Sequence, residues 1–279
     1  MLHAENMTPA DFSFAVVLAN TMDWNMTQQD FELSLKLEPE GCFVLFDNLT
    51  RVGISTCISF GKVGWFGNLV VDQTHRNQGG GMLLLQEAID HMRKNGVETI
   101  GLYAYRDLTR FYENFGFQSN TEFLVIKGKI ETPQIHEKLE RITNKDVPAV
   151  IKFDEEFFHG NRKRLLAPIL LNKKNQCYIS KCKGGIDGYI ASKRNDTMTE
   201  VGPLVCRSGQ NELAESLLKA VLTNSKDEEF FVCLPTANKS LLEALTDFDI
   251  QESFRVTRMF LGPKVAESCI YIPESLERG

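Results

Sequence analysis

No two of the seven cysteines (42, 57, 177, 182, 206, 233 and 269) stand in C-x-x-C spacing, and their odd number argues against a disulfide framework. Most sit in apolar runs, Cys57 in ISTCISF and Cys233 in FFVCLP, where a free thiol behaves as a small hydrophobe. The five histidines form no H-x-x-x-H pair, so no metal is expected. No apolar stretch reaches membrane-spanning length, and the opening MLHAENMTPADF lacks the basic-then-apolar pattern of a secretory leader. A reducing, cytoplasmic location without a membrane partner is the expectation. The net charge of −6 arises from interspersed acids and bases, without the basic footprint of a nucleic-acid binder. Mild acidity suits a small cationic amine, although a normally solvated acidic surface is the better explanation of a surplus this small.

What is present is an ordinary folded composition, 43% hydrophobic and 24% charged, in a chain of 279 residues, longer than most single domains. Two domains are therefore expected. Thr8 with Pro9 and Asp11 forms a helix start ahead of the apolar run 12–18, and Thr27-Gln28-Gln29-Asp30 opens a second helix over 27–37. The β-rich stretch from Gly41 to Asp72, broken at Asp47-Asn48, Gly53, Gly61 and Gly64, predicts consecutive antiparallel strands. Leu84, Leu85, Ala88, Ile89 and Met92 share one face of a helix over 81–95. A strand over 99–104, a short helix over 108–114 and a strand over 123–127 follow. Residues 130–140, with Pro133, form a polar connection.

Beyond that connection the order recurs. Ile142-Thr143-Asn144-Lys145-Asp146-Val147 echoes Met7-Thr8-Pro9-Ala10-Asp11-Phe12, and Gly53 of TRVGIS answers to Gly188 of GIDGYI. Leu69-Val70 answers to Leu204-Val205 at the same distance, GGGMLLLQEAI to LAESLLKAVL, and TIGLYAY to FFVCLPT. Equal spacing and equal order indicate an internal duplication. The domains are expected at 1–128 and 139–279, joined by a linker at 129–138.

The most informative segment is NLVVDQTHRNQGGGMLL, residues 68–84, an apolar strand running through a polar turn and three glycines into an amphipathic helix. The first N–H groups of such a helix lack internal partners, and its dipole favours an anion there. Gly79 and Gly81 remove side chains that would keep a phosphate from the backbone. Neither the G-x-G-x-x-G order of a dinucleotide fold nor a P-loop is present, and a plain glycine turn capping a helix remains an alternative.

The segment resembles the acetyl-CoA motif of the GNAT acetyltransferases, (Q/R)-x-x-G-x-(G/A) after a strand of the type V-x-P-x-x-R. Arg76, Gly79 and Gly81 match, and Gln73 replaces the usual proline. Phe111-Tyr112-Glu113-Asn114-Phe115-Gly116-Phe117 is similar to the family's Y-x-x-x-G-F signature. The second half resembles tandem GNAT proteins with a YitH-type C-terminal domain, on Arg162 and Arg164 before Leu165-Leu166, Gly188-Tyr189, Gly202-Pro203-Leu204-Val205 and Arg258-Met259.

The resemblance implies an α/β (α+β) fold of two tandem GNAT-like domains, each a mixed, mostly antiparallel twisted sheet flanked by helices. It implies an acyltransferase that moves an acetyl group from acetyl-CoA to a primary amine of a small molecule by direct attack. It places the pantetheine arm along Leu69, Val70 and Val71. The pyrophosphate then lies on Arg76, Asn77, Gln78, Gly79, Gly80 and Gly81, with Tyr112 assisting the departing thiolate. Asp72, His75, Asp107 and Glu113 lie near the motifs as possible bases, with none singled out. Phe157, Phe158, Arg162, Arg164, Tyr189 and Arg258 are acceptor-side candidates in the second half, where ordinary core and surface roles compete. That half has lost the glycine loop, reading VCRSGQN over 205–211, and aligning Phe248 with Phe117 puts Glu243 at the place of Tyr112 and Asp247 at that of Gly116. It is expected to be a degenerate copy. A non-catalytic acetyl-CoA sensor and a protein lysine or N-terminal acetyltransferase are the alternative functions.

Overall fold

The computed structural model describes residues 1–129, 139–194, 198–222, 229–246, 248–263, 265 and 268–279. The expected linker lies, apart from residue 129, outside the described residues, as does Asp247. Two compact units emerge, one of Met1–Leu102 with Arg278, the other of Tyr103–Glu277 with Gly279. Among the described residues no helix is long and apolar enough to cross a membrane.

The first unit holds β1 (Leu2–Asn6), α1 (Phe12–Asn20), α2 (Gln28–Leu37), β2 (Cys42–Asp47), β3 (Thr50–Ser59), β4 (Val63–Val71) and α3 (Gly80–Lys94), and β5 (Thr99–Tyr105) begins in it. Strands β1 to β4 pair antiparallel in sequence order, and β5 joins β4 in parallel. Strand β1 carries no strand signal in the sequence because LHAEN is mostly polar; an edge strand paired, among the described residues, with β2 alone needs little apolar surface. Side chains alternate across the sheet. Ile54 and Val70 join Phe12, Ala15, Leu18 and Ala19 of α1 and Phe31 of α2 in one core cluster. The thiol of Cys57 instead reaches the Ala88 carbonyl of α3, whose Leu84, Leu85, Ala88 and Met92 are buried as the periodicity required.

The second unit holds α4 (Thr109–Glu113), β6 (Gln118–Lys129), β7 (Glu140–Arg141), α5 (Val147–Phe158), α6 (Lys163–Leu171), β8 (Gln176–Cys182), β9 (Gly185–Arg194), β10 (Met198–Arg207), α7 (Asn211–Leu222), β11 (Glu229–Pro235), α8 (Lys239–Glu243), β12 (Asp249–Leu261) and β13 (Cys269–Ile272). Its strand order is β12-β6-β11-β10-β9-β8-β7, with β13 also on β10. Strand β6, the last one read for the first domain, therefore sits between β11 and β12 and is antiparallel to both.

The duplication is visible in the pairing. In the first unit Gly53 faces Val71 and Ile54 faces Val70; in the second Gly188 faces Cys206 and Tyr189 faces Val205. The register is the same. Both glycines are crowded by their neighbours, since a Cβ on Gly53 would lie 3.1 Å from the Val70 carbonyl oxygen and one on Gly188 2.9 Å from the Cys206 sulfur. The helix starts repeat as well. Asp11 accepts from the Thr8 N–H at 2.8 Å and its hydroxyl at 2.7 Å, and Asp146 accepts from the same groups of Thr143 at 2.8 and 2.6 Å.

Hydrogen bonding from Lys181, then from the Thr143 hydroxyl, holds the Asp146 carboxyl down at about 2. Its pKa in the unfolded chain is near the usual ~3.9. The carboxylate's contribution is thus complete above that value and is lost as pH falls through about 2. Asp146→Ala should cost about 1 kcal/mol at pH 7, the ordinary value of a helix cap. The penalty in thermal unfolding should shrink from pH 4 to pH 2.5; a penalty independent of pH would contradict the assignment.

Candidate functional site

The junction between β4 and α3 is built by a strand that loses one of its neighbours. The parallel ladder from β5 covers Val63, Gly64 and Trp65 of β4. From Phe66 onward β4 pairs, among the described residues, with β3 alone. A bulge accompanies the change: the register slips between Ile54 and Thr56 of β3, opposite Val70 and Gly67. Asn68 takes up the extra length in the left-handed region at φ 53°, its amide donating to the buried Thr56 hydroxyl at 3.1 Å. Asparagine tolerates that conformation better than most residues. Motif matching passes over Asn68; an asparagine inside the run GNLVV is its only signal in the sequence.

Of the strand residues expected to hold a ligand, Val70 is buried in the core, while Leu69 and Val71 are half-buried. Their usable feature is the backbone, because a strand paired on one side presents N–H and C=O groups on the other.

Past Val71 the chain makes a tight polar turn. The Asp72 carboxylate accepts from the Thr74 backbone at 3.0 Å and from the Thr74 hydroxyl, with His75 Nδ1 at 3.3 Å. Those bonds, first that from the Thr74 hydroxyl, hold the Asp72 carboxyl below its ordinary value. A carboxylate so engaged is a turn-former and a poor base. Arg76 folds back, its Nε donating to the Val71 carbonyl at 3.0 Å, with the guanidinium exposed. Gln78 donates to the Thr74 carbonyl at 3.2 Å.

Two left-handed residues, Asn77 at φ 60° and Gly79 at φ 89°, then bring the backbone into α3. Gly79 is its N-cap, and the helix is begun by Gly80, with Gly81 next. The three glycines differ in role. Gly79 is required by its dihedral angle, since a Cβ there would meet nothing nearer than Met82 Cε at 3.6 Å. Gly80 is required by packing, because a Cβ there would come within 2.4 Å of Leu45 Cδ2. Its neighbour Gly81 is half-buried in the first turn. With no acid in that first turn and His91, Arg93 and Lys94 in the last, α3 has the polarity that favours an anion at its start.

All of the expected residues from Leu69 to Gly81 thus come together in the first unit. Tyr112 belongs to the second, on α4, where its ring meets Phe111 at 5.0 Å and Phe117 at 5.9 Å, edge-on in both cases. It is buried, and burial pushes its phenol above the ordinary range. Asp107 and Glu113 are exposed. Of the acceptor-side candidates, Arg164 is exposed, and Phe157, Phe158, Tyr189 and Arg162 are buried. Arg162 is bidentate to Asp154 at 3.0 and 2.6 Å. Arg258 donates to Asn120 Oδ1 at 2.9 and 2.7 Å. Among the described residues no group of three or more histidine, cysteine or acidic side chains could hold a metal ion.

Residues 11–117 match the family described as acetyltransferase (GNAT) family, and residues 150–271 match an acetyltransferase (GNAT) domain. No curated protein matches in sequence. Among solved structures the fold is shared with a Pyrococcus horikoshii protein assigned as an acetyltransferase, at 21% identity and a TM-score of 0.81, covering 100% of this chain and 96% of that one. A GCN5-related N-acetyltransferase from Sphaerobacter thermophilus aligns at 14% identity and TM-score 0.68 over 96% and 98%. A tandem GNAT protein from the clavulanic acid biosynthesis pathway aligns at 14% and 0.64 over 95% and 100%. With one GNAT match in each half and a bulged, one-sided strand leading into a glycine-capped helix, the chain belongs to the GNAT family, a tandem-domain, acetyl-CoA-dependent N-acetyltransferase.

Proposed function

We propose that the β4–α3 junction of the first unit holds acetyl-CoA and that the acceptor is a primary amine of a small molecule. The observation that carries the first part is the continuity of two binding features. A strand edge from Phe66 to Val71, open on one side among the described residues, leads through one tight turn into a helix start turned by Asn77 and Gly79. The edge accepts an amide-bearing arm as it would an added strand. The helix amides and exposed Arg76 suit a pyrophosphate. Leu69, Val70 and Val71 would take the arm, and Arg76 with residues 77–81 the phosphates.

Acetyl-CoA supplies an activated thioester. A backbone N–H at Val70 or Val71 offers a single donor to the oxygen on which charge develops, an interaction worth roughly 10²-fold or more in rate. The amine must arrive neutral, and a lysine-like amine is only about one part in a thousand neutral at pH 7. Asp72, tied into its own turn, is unsuited to take that proton, which passes instead to a solvent relay.

Tyr112 keeps the resemblance-based role of hydrogen-bonding the departing thiolate. A phenol whose pKa burial has raised holds its proton, so it acts as a donor and does not deliver the proton outright. Tyr112→Phe should leave acetyl-CoA affinity within about twofold and lower turnover by ~10–100-fold, the usual range for one positioned group. Unchanged turnover, with chemistry shown to limit the rate, would return Tyr112 to a packing role. The acceptor is tested by CoA release over small primary amines beside lysine-bearing and N-terminal peptides. Release with peptides alone would replace the small-molecule reading, and acetyl-CoA binding without any release would favour a sensor. The YitH-type character of the second half is part of the same proposal, supported by the short matches at Arg162, Gly188-Tyr189, Gly202-Pro203 and Arg258-Met259.

A further inference from the structure

The strand of the second unit that matches β4 has its edge filled. Strand β10 pairs in parallel with β11 over Met198, Thr199, Glu200 and Val201, much as β4 pairs with β5 over its first residues. A register shift follows between Val201 and Leu204. Beyond it β13 takes over from β11, antiparallel, with Leu204 facing Ile272, Val205 facing Tyr271, Cys206 facing Ile270 and Arg207 facing Cys269. In the register that equates Gly53 with Gly188, residues 204–207 answer to 69–72, the end of the open edge in the first unit. The connection that follows is also cut short: residues 72–79 separate β4 from α3, whereas only 208–210 separate β10 from α7. One left-handed glycine survives there, Gly209 at φ 82°.

We infer that β13 and the segment behind it are an intramolecular ligand of the second domain. The chain's own backbone occupies the strand edge that in the first domain takes the cofactor arm, and each chain therefore binds one acetyl-CoA. The inference rests on the proposed placement of acetyl-CoA in the first unit.

The anchoring of this segment is that of a permanent occupant. Ile270 and Ile272 are buried in the core cluster with Leu204, Cys206, Leu217 and Val232. Arg162, itself fixed by Asp154, donates to the Tyr271 hydroxyl at 3.1 Å and to the Gly279 carbonyl at 2.5 Å. The buried Glu274 carboxylate accepts from Lys193. The Glu274 N–H reaches the Gly279 carbonyl at 3.0 Å, and the Gly279 N–H reaches that of Ser275 at 3.1 Å, closing the segment on itself. Gly202 makes room for it, because a Cβ there would fall 1.9 Å from the Pro273 carbonyl oxygen. Main-chain pairing, apolar burial and buried ion pairs hold one peptide against one strand.

The test is hydrogen exchange on the full chain with and without saturating acetyl-CoA, with calorimetric stoichiometry alongside. Amides at 204–207 should exchange at least ~100-fold more slowly than the unfolded chain before any ligand is added, and should not change when it is. Amides at 66–71 and 77–81 should slow on binding, and the stoichiometry should be one. Gly202→Ala should raise exchange at 204–207 at least ~10-fold over wild type by displacing Pro273; should that variant not fold, the wild-type comparison decides. Fast exchange at 204–207 without ligand, further slowing there with acetyl-CoA, or two equivalents bound would overturn the inference. Slow exchange at 204–207 with no ligand effect at 66–81 would instead overturn the assignment of the cofactor to the first unit, and with it the equivalence of the two strand edges.

Discussion

A chain stopped at residue 128 should be recovered mostly insoluble, with residues 103–128 unstructured in whatever fraction stays in solution. The reason is the position of β6. Its N–H and C=O groups are paired on one side with β11, from Phe123 facing Pro235 to Lys129 facing Glu229, and on the other with β12, from Gln118 facing Phe260 to Lys129 facing Asp249. Truncation removes both partners at once. It also uncovers Phe123 and Val125, which are buried with Cys233 and Val256. Exposing such side chains costs roughly 1.5–3 kcal/mol each, in a segment that would keep no neighbouring strand of its own unit. A bare, apolar strand is also a template for aggregation. Because Tyr112 lies in the same unit, acetyl transfer should be lost even if the β4–α3 junction still binds acetyl-CoA. Soluble yield, limited proteolysis and CoA release measure these effects together. A soluble half with full activity would show that the second half is dispensable.

Replacing Gly79 with aspartate should lower acetyl-CoA affinity by at least ~100-fold while leaving most of the fold intact. Two effects add. A residue with a Cβ at φ 89° costs about 1–2 kcal/mol, which the loop would relieve by turning its amides away. The carboxylate then stands beside the bound phosphates, where like charge in a partly desolvated site costs a comparable amount. About 3 kcal/mol together corresponds to ~150-fold in affinity. Gly81→Asp places the same charge within the first turn of the helix without the dihedral strain and should weaken binding less. Gly80→Ala separates packing from binding: its methyl would collide with Leu45, so its main effect should be a lowered Tm. Wild-type affinity by calorimetry in both aspartate variants would remove the phosphates from this loop.

The site was legible where its chemistry requires particular residues next to one another along the chain. Only glycine tolerates both φ 89° and open approach, so Gly79 announces itself, and Thr-x-x-Asp announces a helix start because the two side chains bond locally. Gly80 was expected to offer its amide to the pyrophosphate; that it must also lack a side chain follows from Leu45, a residue far off in sequence that no motif could supply. Asp72 and His75 looked like possible bases from proximity to the motif, and their side chains turn out to close the turn itself. Arg162, a candidate for the acceptor, is buried with Asp154 and braces the C-terminal segment. A charged residue reads alike on the page whether it faces solvent, substrate or a buried partner.

The order of elements, the repeat, the anion-favouring helix start and the loss of the second glycine loop were determined by the sequence itself. Each depends on periodicity, on turn chemistry or on a residue with unusual backbone freedom, all of which act over a few positions. Tertiary structure alone decided that β6 lies between β11 and β12, that β4 keeps an open edge, and that β13 closes the matching edge of β10. Those outcomes depend on which strand pairs with which. Backbone hydrogen bonds are nearly the same for every residue, so the choice among partners is made by the packing of side chains distant in sequence, and only the folded chain brings those together.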